Sequence, residues 1–113
     1  MWTPDPSIII TAAQKAAEAQ TTAVEAFRSA IQTHVDATAK GRSYDGGNAL
    51  ASYVASTNPQ WAAEAQVFVA WRDAVWLYAY AELDKVMSGE RAQPSVEEFV
   101  GELPAIEWPL TSA

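Results

Sequence analysis

The stretch FVAWRDAVWLYAY, residues 68 to 80, constrains the fold more than any other part of the chain. It holds five aromatic residues and only two charged ones, Arg72 and Asp73, in thirteen positions. A helix that crosses a bilayer needs about 18 apolar residues in succession, and two charges in its middle would each cost about 3 kcal/mol. The stretch therefore predicts a helix whose rings are buried within a small protein or against a partner, and predicts no membrane span.

The helix that contains this stretch is predicted to run from about 59 to 87. Asn58 is a good N-cap, Pro59 suits the first helical position, and Ser88-Gly89 is a typical end. Its apolar residues form two neighbouring stripes: Trp61, Ala65, Phe68, Trp71, Val75 and Tyr78 in the first, and Val69, Trp76, Tyr80, Leu83 and Met87 in the second. Because a surface helix needs only one apolar face, the second stripe indicates either a helix central to the core or aromatic surface left free for a partner.

A second long helix is predicted over about 8 to 40, because apolar residues recur with heptad spacing. The pattern is strongest around Val24, Phe27, Ile31 and Val35. The candidates for an oligomer seam are Ile10, Val24, Phe27 and Ile31. Lys40-Gly41 is the predicted end of the helix. The pattern leaves open whether this helix pairs within one chain or between chains.

The remaining segments predict short elements. The stretch RSYDGGN, residues 42 to 48, is typical of a turn, and a short helix is expected over 49 to 56. Ser95 and Glu98 have capping-box spacing, which predicts a C-terminal helix over about 95 to 102. Residues 1 to 7 are expected to be an irregular lead-in, and residues 103 to 113 an extended tail rich in proline and tryptophan. The predicted fold is a single all-α domain, 1 to 113, built on an antiparallel pair of long helices.

Composition argues against several classes of function. The net charge is −7, with 14 acidic and 7 basic residues and no basic cluster, so no nucleic-acid partner is expected. The chain has no cysteine and only one histidine, His34, which excludes disulfides, thiolate sites and multi-histidine metal sites. No glycine-rich phosphate loop, nucleophile elbow or acid/base pair is visible. We therefore expect no catalytic residue, cofactor or metal, and no enzyme; the N-terminus also lacks the pattern of a signal peptide.

From Trp71 onward the chain resembles the C-terminal end of bacteriophage tail fibre assembly proteins. Members of that family tend to finish with a helix of the form W-R-x-Y-R-x-x-L and a close such as P-x-I-x-W-P. The matching pieces are Trp71-Arg72, the aromatic run to Tyr80, Leu83 and the close LPAIEWP, residues 103 to 109. The resemblance implies a chaperone that binds the distal end of a trimeric fibre in the host cytoplasm and prevents its aggregation, and that in some members stays in the virion.

The leading hypothesis is thus a tail or tail fibre assembly chaperone that covers apolar surface of its partner. The candidate contact residues are Trp71, Trp76, Tyr78, Tyr80 and Trp108. The alternatives are a structural virion component, oligomeric through the N-terminal heptads, and a host-directed binding module. Arg72 and Asp73 have two interpretations, a solvated strip on the helix or a buried pair that specifies a partner.

Overall fold

The protein is entirely helical over the residues that the structure describes. The computed structural model describes the backbone of residues 12–109, and the side chains of Lys15 and of residues 22–109. This part contains no strand and has four helices: α1 Ala12–Gly41, α2 Gly47–Ala51, α3 Pro59–Ser88 and α4 Val96–Glu102. The predicted all-α class is confirmed. The predicted lead-in, the first residues of the N-terminal helix including Ile10, and the tail beyond residue 109 lie outside the described residues.

The ends of α3 and α4 are set by the signals that predicted them. The Asn58 side chain accepts hydrogen bonds from the backbone N–H groups of Gln60 and Trp61, at 3.0 and 3.2 Å. Gly89 ends α3 in the left-handed region, with φ of 83°. The Ser95 hydroxyl accepts from the N–H of Glu98 at 3.1 Å and caps α4. These side chains satisfy backbone groups that the helix itself leaves without partners.

The helix α1 ends at the predicted Lys40-Gly41, but the residue that caps it differs. Gly41 is the last helical residue, and the residue in the left-handed region is Ser43, with φ of 75°. The N–H of Tyr44 bonds back to the carbonyl of Ala39 at 3.2 Å and that of Ser43 to Lys40 at 2.9 Å, which is the Schellman pattern. The helix therefore includes the glycine, and the turn after it is closed by Ser43, which takes this conformation at a steric cost. The short helix α2 also begins earlier and is shorter than the predicted 49 to 56.

The core lies between α1 and α3, which run antiparallel. Val35 of α1 and Phe68 of α3 both lie close to Gly47, where an added Cβ would be 3.5 Å from the valine and 3.3 Å from the phenylalanine. One residue earlier on α1, the His34 ring packs against the Trp71 ring at 5.8 Å between centroids, and residues 25 to 32 of α1 lie across from Trp76 and Tyr80 of α3. Positions therefore rise along α3 as they fall along α1. The fully buried side chains are Phe68, Phe99, Ile31, Leu50, Val35 and Val75.

The helix α4 lies in one of the two grooves between α1 and α3. The Phe99 ring is fully buried, with centroid distances of 5.2 Å to Phe27 and 6.2 Å to Tyr78. The extended segment after α4 packs against α3, where the indole N–H of Trp71 donates a hydrogen bond to the carbonyl of Pro104 at 2.7 Å. Among the helices of the described part, none has both the length and the hydropathy needed to cross a bilayer.

Candidate protein-binding face

One side of α3 exposes large apolar side chains. Leu77, Tyr80 and Met87 are 71%, 51% and 53% exposed, and Trp76 is half-buried beside them. These four residues are called the α3 outer face below. Trp76 and Tyr80 are four residues apart, so their rings are neighbours on the helix and lie 5.7 Å apart between centroids, with 32° between their planes. The first stripe of α3 is buried in the core from Ala65 to Val75, whereas Trp61 at its start is 48% exposed. Part of the second stripe is therefore exposed on the surface.

Trp76 and Tyr80 form one wall of an open groove between α3 and α1. The facing wall is polar and consists of Glu25, Arg28, Ser29 and Gln32. The groove has a volume of about 540 Å³ and opens to solvent along its length. Small-molecule sites usually enclose most of their ligand. An open channel with aromatic rings on one side is better suited to the side chains of another protein.

The other side of α3 is occupied by α4. Tyr78 is two positions from Trp76, which places the two side chains about 160° apart around the helix. The Tyr78 hydroxyl donates to Glu102 of α4 at 2.7 Å, and this hydrogen bond is the main reason that the pKa of Tyr78 is raised. Tyr78 therefore helps to fix α4 in place and does not belong to the open groove.

The structure separates the five candidate contact residues predicted from the sequence. Trp76 and Tyr80 line the open groove, whereas Tyr78 contacts α4. Trp71 is only 7% exposed and its N–H is bonded to the tail, so it is a core residue and we remove it from the contact candidates. The Trp108 ring is half-buried and lies over the Arg42 guanidinium, at 5.1 Å from the ring centroid. It belongs to the contact between the tail and the body of the protein.

The residues predicted to form an oligomer seam are also redistributed. Phe27 and Ile31 are buried within the single chain, against the elements described above. They cannot face a second copy unless the core opens, so we remove them from the seam. Val24 is half-buried. Ile10 lies outside the described residues.

Arg72 and Asp73 pair with each other at the surface. The Arg72 guanidinium is 3.0 Å from the Asp73 carboxylate, and the Asp73 side chain is 59% exposed. A solvated pair of neighbours such as this contributes little to stability. The structure favours the interpretation as a solvated strip over that of a buried pair.

A buried carboxylate that no sequence motif indicates lies near the loop end of the hairpin formed by α1 and α3. Glu64 is buried. It accepts one hydrogen bond from Arg42 and another from the Tyr44 hydroxyl at 3.1 Å. Burial and the bond to Glu64 raise the pKa of Tyr44 to about 12. In the described part, no buried side-chain nitrogen or oxygen lacks a partner. Both partners of Glu64 lie about twenty residues away in sequence, and no local motif joins them. The charge is paired and hydrogen-bonded, which is the arrangement of a structural ion pair.

A second ion-pair network connects α3 to α4. Arg91, between the two helices, donates to Glu82 at 2.9 Å and to Glu102. Lys85 and Arg91 hold the pKa of Glu82 below its usual value, and Arg91 with Tyr78 does the same for Glu102. These groups hold the connection after α3 in one conformation.

Within the described residues, no group of three or more histidines, aspartates or glutamates is arranged to hold a metal ion. Comparison with models of protein families, with curated proteins and with solved structures found no match to this chain. What this protein binds must therefore be inferred from its residues and their geometry, and the open groove with the α3 outer face is the surface that stands out.

Proposed function

We propose that the protein is a non-enzymatic binding module that shields apolar surface of another protein. The observation that carries this proposal is the exposure of the α3 outer face beside the open groove, while the neighbouring stripe of the same helix is buried in the core from Ala65 to Val75. Two large half-exposed rings and two exposed aliphatic side chains amount to on the order of 300 Å² of apolar surface, which is the size of the functional patches found on monomeric proteins. Tryptophan and tyrosine are also the residues that most often anchor protein interfaces.

The resemblance to tail fibre assembly proteins makes the proposal specific: the partner is a phage tail or tail fibre protein, bound during assembly in the host cytoplasm. In this chain the resembling residues contact each other, since Trp71 bonds to Pro104 and Trp108 lies over Arg42. The motif thus supports a shared local fold. We assign the contacts with the partner to Trp76 and its neighbours on the α3 outer face. The alternative of a virion component that oligomerises through α1 has less support, because Phe27 and Ile31 lie in the core.

Co-expression with the tail fibre protein of the same phage tests the proposal. We expect the fibre to be soluble and trimeric with this protein and to aggregate without it. Tyr80→Glu should abolish the effect, because it places a charge on the aromatic wall of the groove. Tyr53→Glu is the matched control, since Tyr53 is also a partly exposed tyrosine, at 36%, but contacts Tyr44 and Trp61 at the other end of the hairpin. An unchanged yield of soluble trimer without this protein would refute the proposal.

A further inference from the structure

We propose that the open groove binds an amphipathic helix of the partner, with an apolar stripe flanked by lysine and arginine. The inference rests on the proposed function and adds the chemical class of the partner segment. It follows from three features of the described residues: the position of the groove opposite α4, the length of the groove, and the charge around it.

The first feature is the symmetry of the two grooves along the α1–α3 hairpin. An antiparallel helix pair has a groove on each side of its contact line, and four-helix bundles fill both. Here α4 fills one groove through Phe99, which packs between Phe27 and Tyr78. Trp76 is about 160° from Tyr78 around α3, and Gln32 is about 140° from Phe27 around α1. The open groove is therefore the second position of the bundle, and an element that fills it in the same manner is a helix.

The second feature is the length of this groove. Its α1 wall runs from Glu25 to Gln32, which is about 10 Å at 1.5 Å per residue. Gln32 also lines an adjoining polar depression with Asp36 and Lys40, but there the start of α2 closes the groove, because the N–H of Gly47 donates to the Asp36 carboxylate at 2.9 Å. A partner helix therefore contacts the groove over about two turns, and its residues at i and i+3 or i+4 would meet the rings of Trp76 and Tyr80.

The charge around the groove decides which helix fits. The charged groups on its two walls, on the adjoining depression and on the same side of α3 are five acids, Glu25, Asp36, Asp45, Asp73 and Asp84, and three bases, Arg28, Lys40 and Arg72, of which Arg72 pairs with Asp73. The excess is negative, as it is for the whole chain with its net charge of −7. Lysine and arginine on the flanks of the partner helix would complement these acids. They would also interact favourably with the faces of the exposed tryptophan and tyrosine rings.

The net charge of the chain argues against a second copy as the occupant. Two copies of a chain with a net charge of −7 repel each other, whereas a basic helix is attracted.

Three synthetic peptides test the inference with the full chain. All are 18-residue, fluorescein-labelled helices: one has a leucine stripe with lysine and arginine flanks, one has the same stripe with glutamate flanks, and one has the basic composition with the leucines shuffled off the stripe. Binding is measured by fluorescence anisotropy at low and high salt. We expect the first peptide to bind at micromolar concentration, the other two to bind at least about 10-fold more weakly, and added salt to weaken the first.

Protein variants locate the binding. Tyr80→Glu should weaken binding of the basic amphipathic peptide by at least about 10-fold, whereas Tyr53→Glu should leave it unchanged. Equal binding of the glutamate-flanked or the shuffled peptide would overturn the inference, and so would an equal loss in both variants. A dimer in light scattering that Tyr80→Glu dissociates would show that a second copy is the occupant, and would also overturn it.

The two proposals can fail separately. If no peptide binds but Tyr80→Glu still abolishes fibre solubility, the partner class is wrong and the shielding function stands. If the basic peptide binds as expected while fibre yield does not depend on this protein, the groove takes a basic helix and the chaperone function is wrong.

Discussion

Replacing Phe99 with alanine should destabilise the protein severely, because α4 is held in its groove chiefly by this ring. Phe99 is fully buried, packs against Phe27 and Tyr78, and has the Arg91 guanidinium 5.6 Å from its centroid. Phenylalanine-to-alanine changes at buried sites cost about 3–5 kcal/mol, from lost burial and the cavity that remains. The total free energy of unfolding of a domain of about 100 residues is only about 5–15 kcal/mol. Phe99→Ala should therefore remove a large fraction of the stability.

Urea denaturation followed by circular dichroism measures this loss, with Tyr80→Ala as the matched control. The Tyr80 ring lies on the open side of the same hairpin and is half exposed, so its truncation should cost less than about 1 kcal/mol. In thermal melts, Phe99→Ala should lower Tm by more than about 10 °C, given about 4–8 °C per kcal/mol for a domain of this size. A loss below about 1 kcal/mol for Phe99→Ala, or equal losses for the two variants, would refute the division into a filled groove and an open one.

Three further predictions concern the ends of the helices and the tail. Ser43→Gly should stabilise the protein by about 1 kcal/mol in urea denaturation, because glycine adopts the left-handed conformation without steric cost; a destabilised variant would contradict this explanation of the α1 end. Trp71→Phe should cost about 1–3 kcal/mol in the same assay, because it leaves a carbonyl of the tail without its donor; an unchanged stability would mean that the tail is not held there. The lowered pKa values of Glu82 and Glu102 mean that the folded state binds fewer protons than the unfolded state, so their contribution is present above about pH 4.5 and is lost as pH falls through the folded pKa values. Urea midpoints measured from pH 6 to pH 3 should fall less steeply for Arg91→Met than for the natural chain, and parallel curves would exclude the network as the cause.

The helices could be predicted from local chemistry. Asn58, Pro59 and Gly89 mark the ends of α3, and Ser95 marks the start of α4, because a cap acts on backbone groups only a few residues away. Ser43 shows the limit of such signals, because the residue that caps α1 follows the glycine that was expected to cap it.

The burial of individual aromatic residues could not be predicted from periodicity. Trp71 and Trp76 belong to one aromatic run, and sequence alone offered both as contact residues. Trp71 is buried because the segment at Pro104 bonds to it, whereas Trp76 faces the groove that no described element fills. Contacts between residues more than thirty positions apart decide this outcome. The ion pair between Arg42 and Glu64 could not be predicted from the sequence for the same reason.

Site-specific photocrosslinking on the intact complex would test the central claim most directly. The photoreactive residue p-benzoylphenylalanine is introduced in place of Tyr80, which lines the open groove and is 51% exposed, and separately in place of Val54, which is 40% exposed near the other end of the hairpin. Irradiation of the protein co-purified with its fibre or tail partner should give a crosslink from position 80 to a basic helical segment of that partner, and none from position 54. Crosslinks from position 54 alone, or equally from both positions, would contradict the assignment of the open groove as the binding surface.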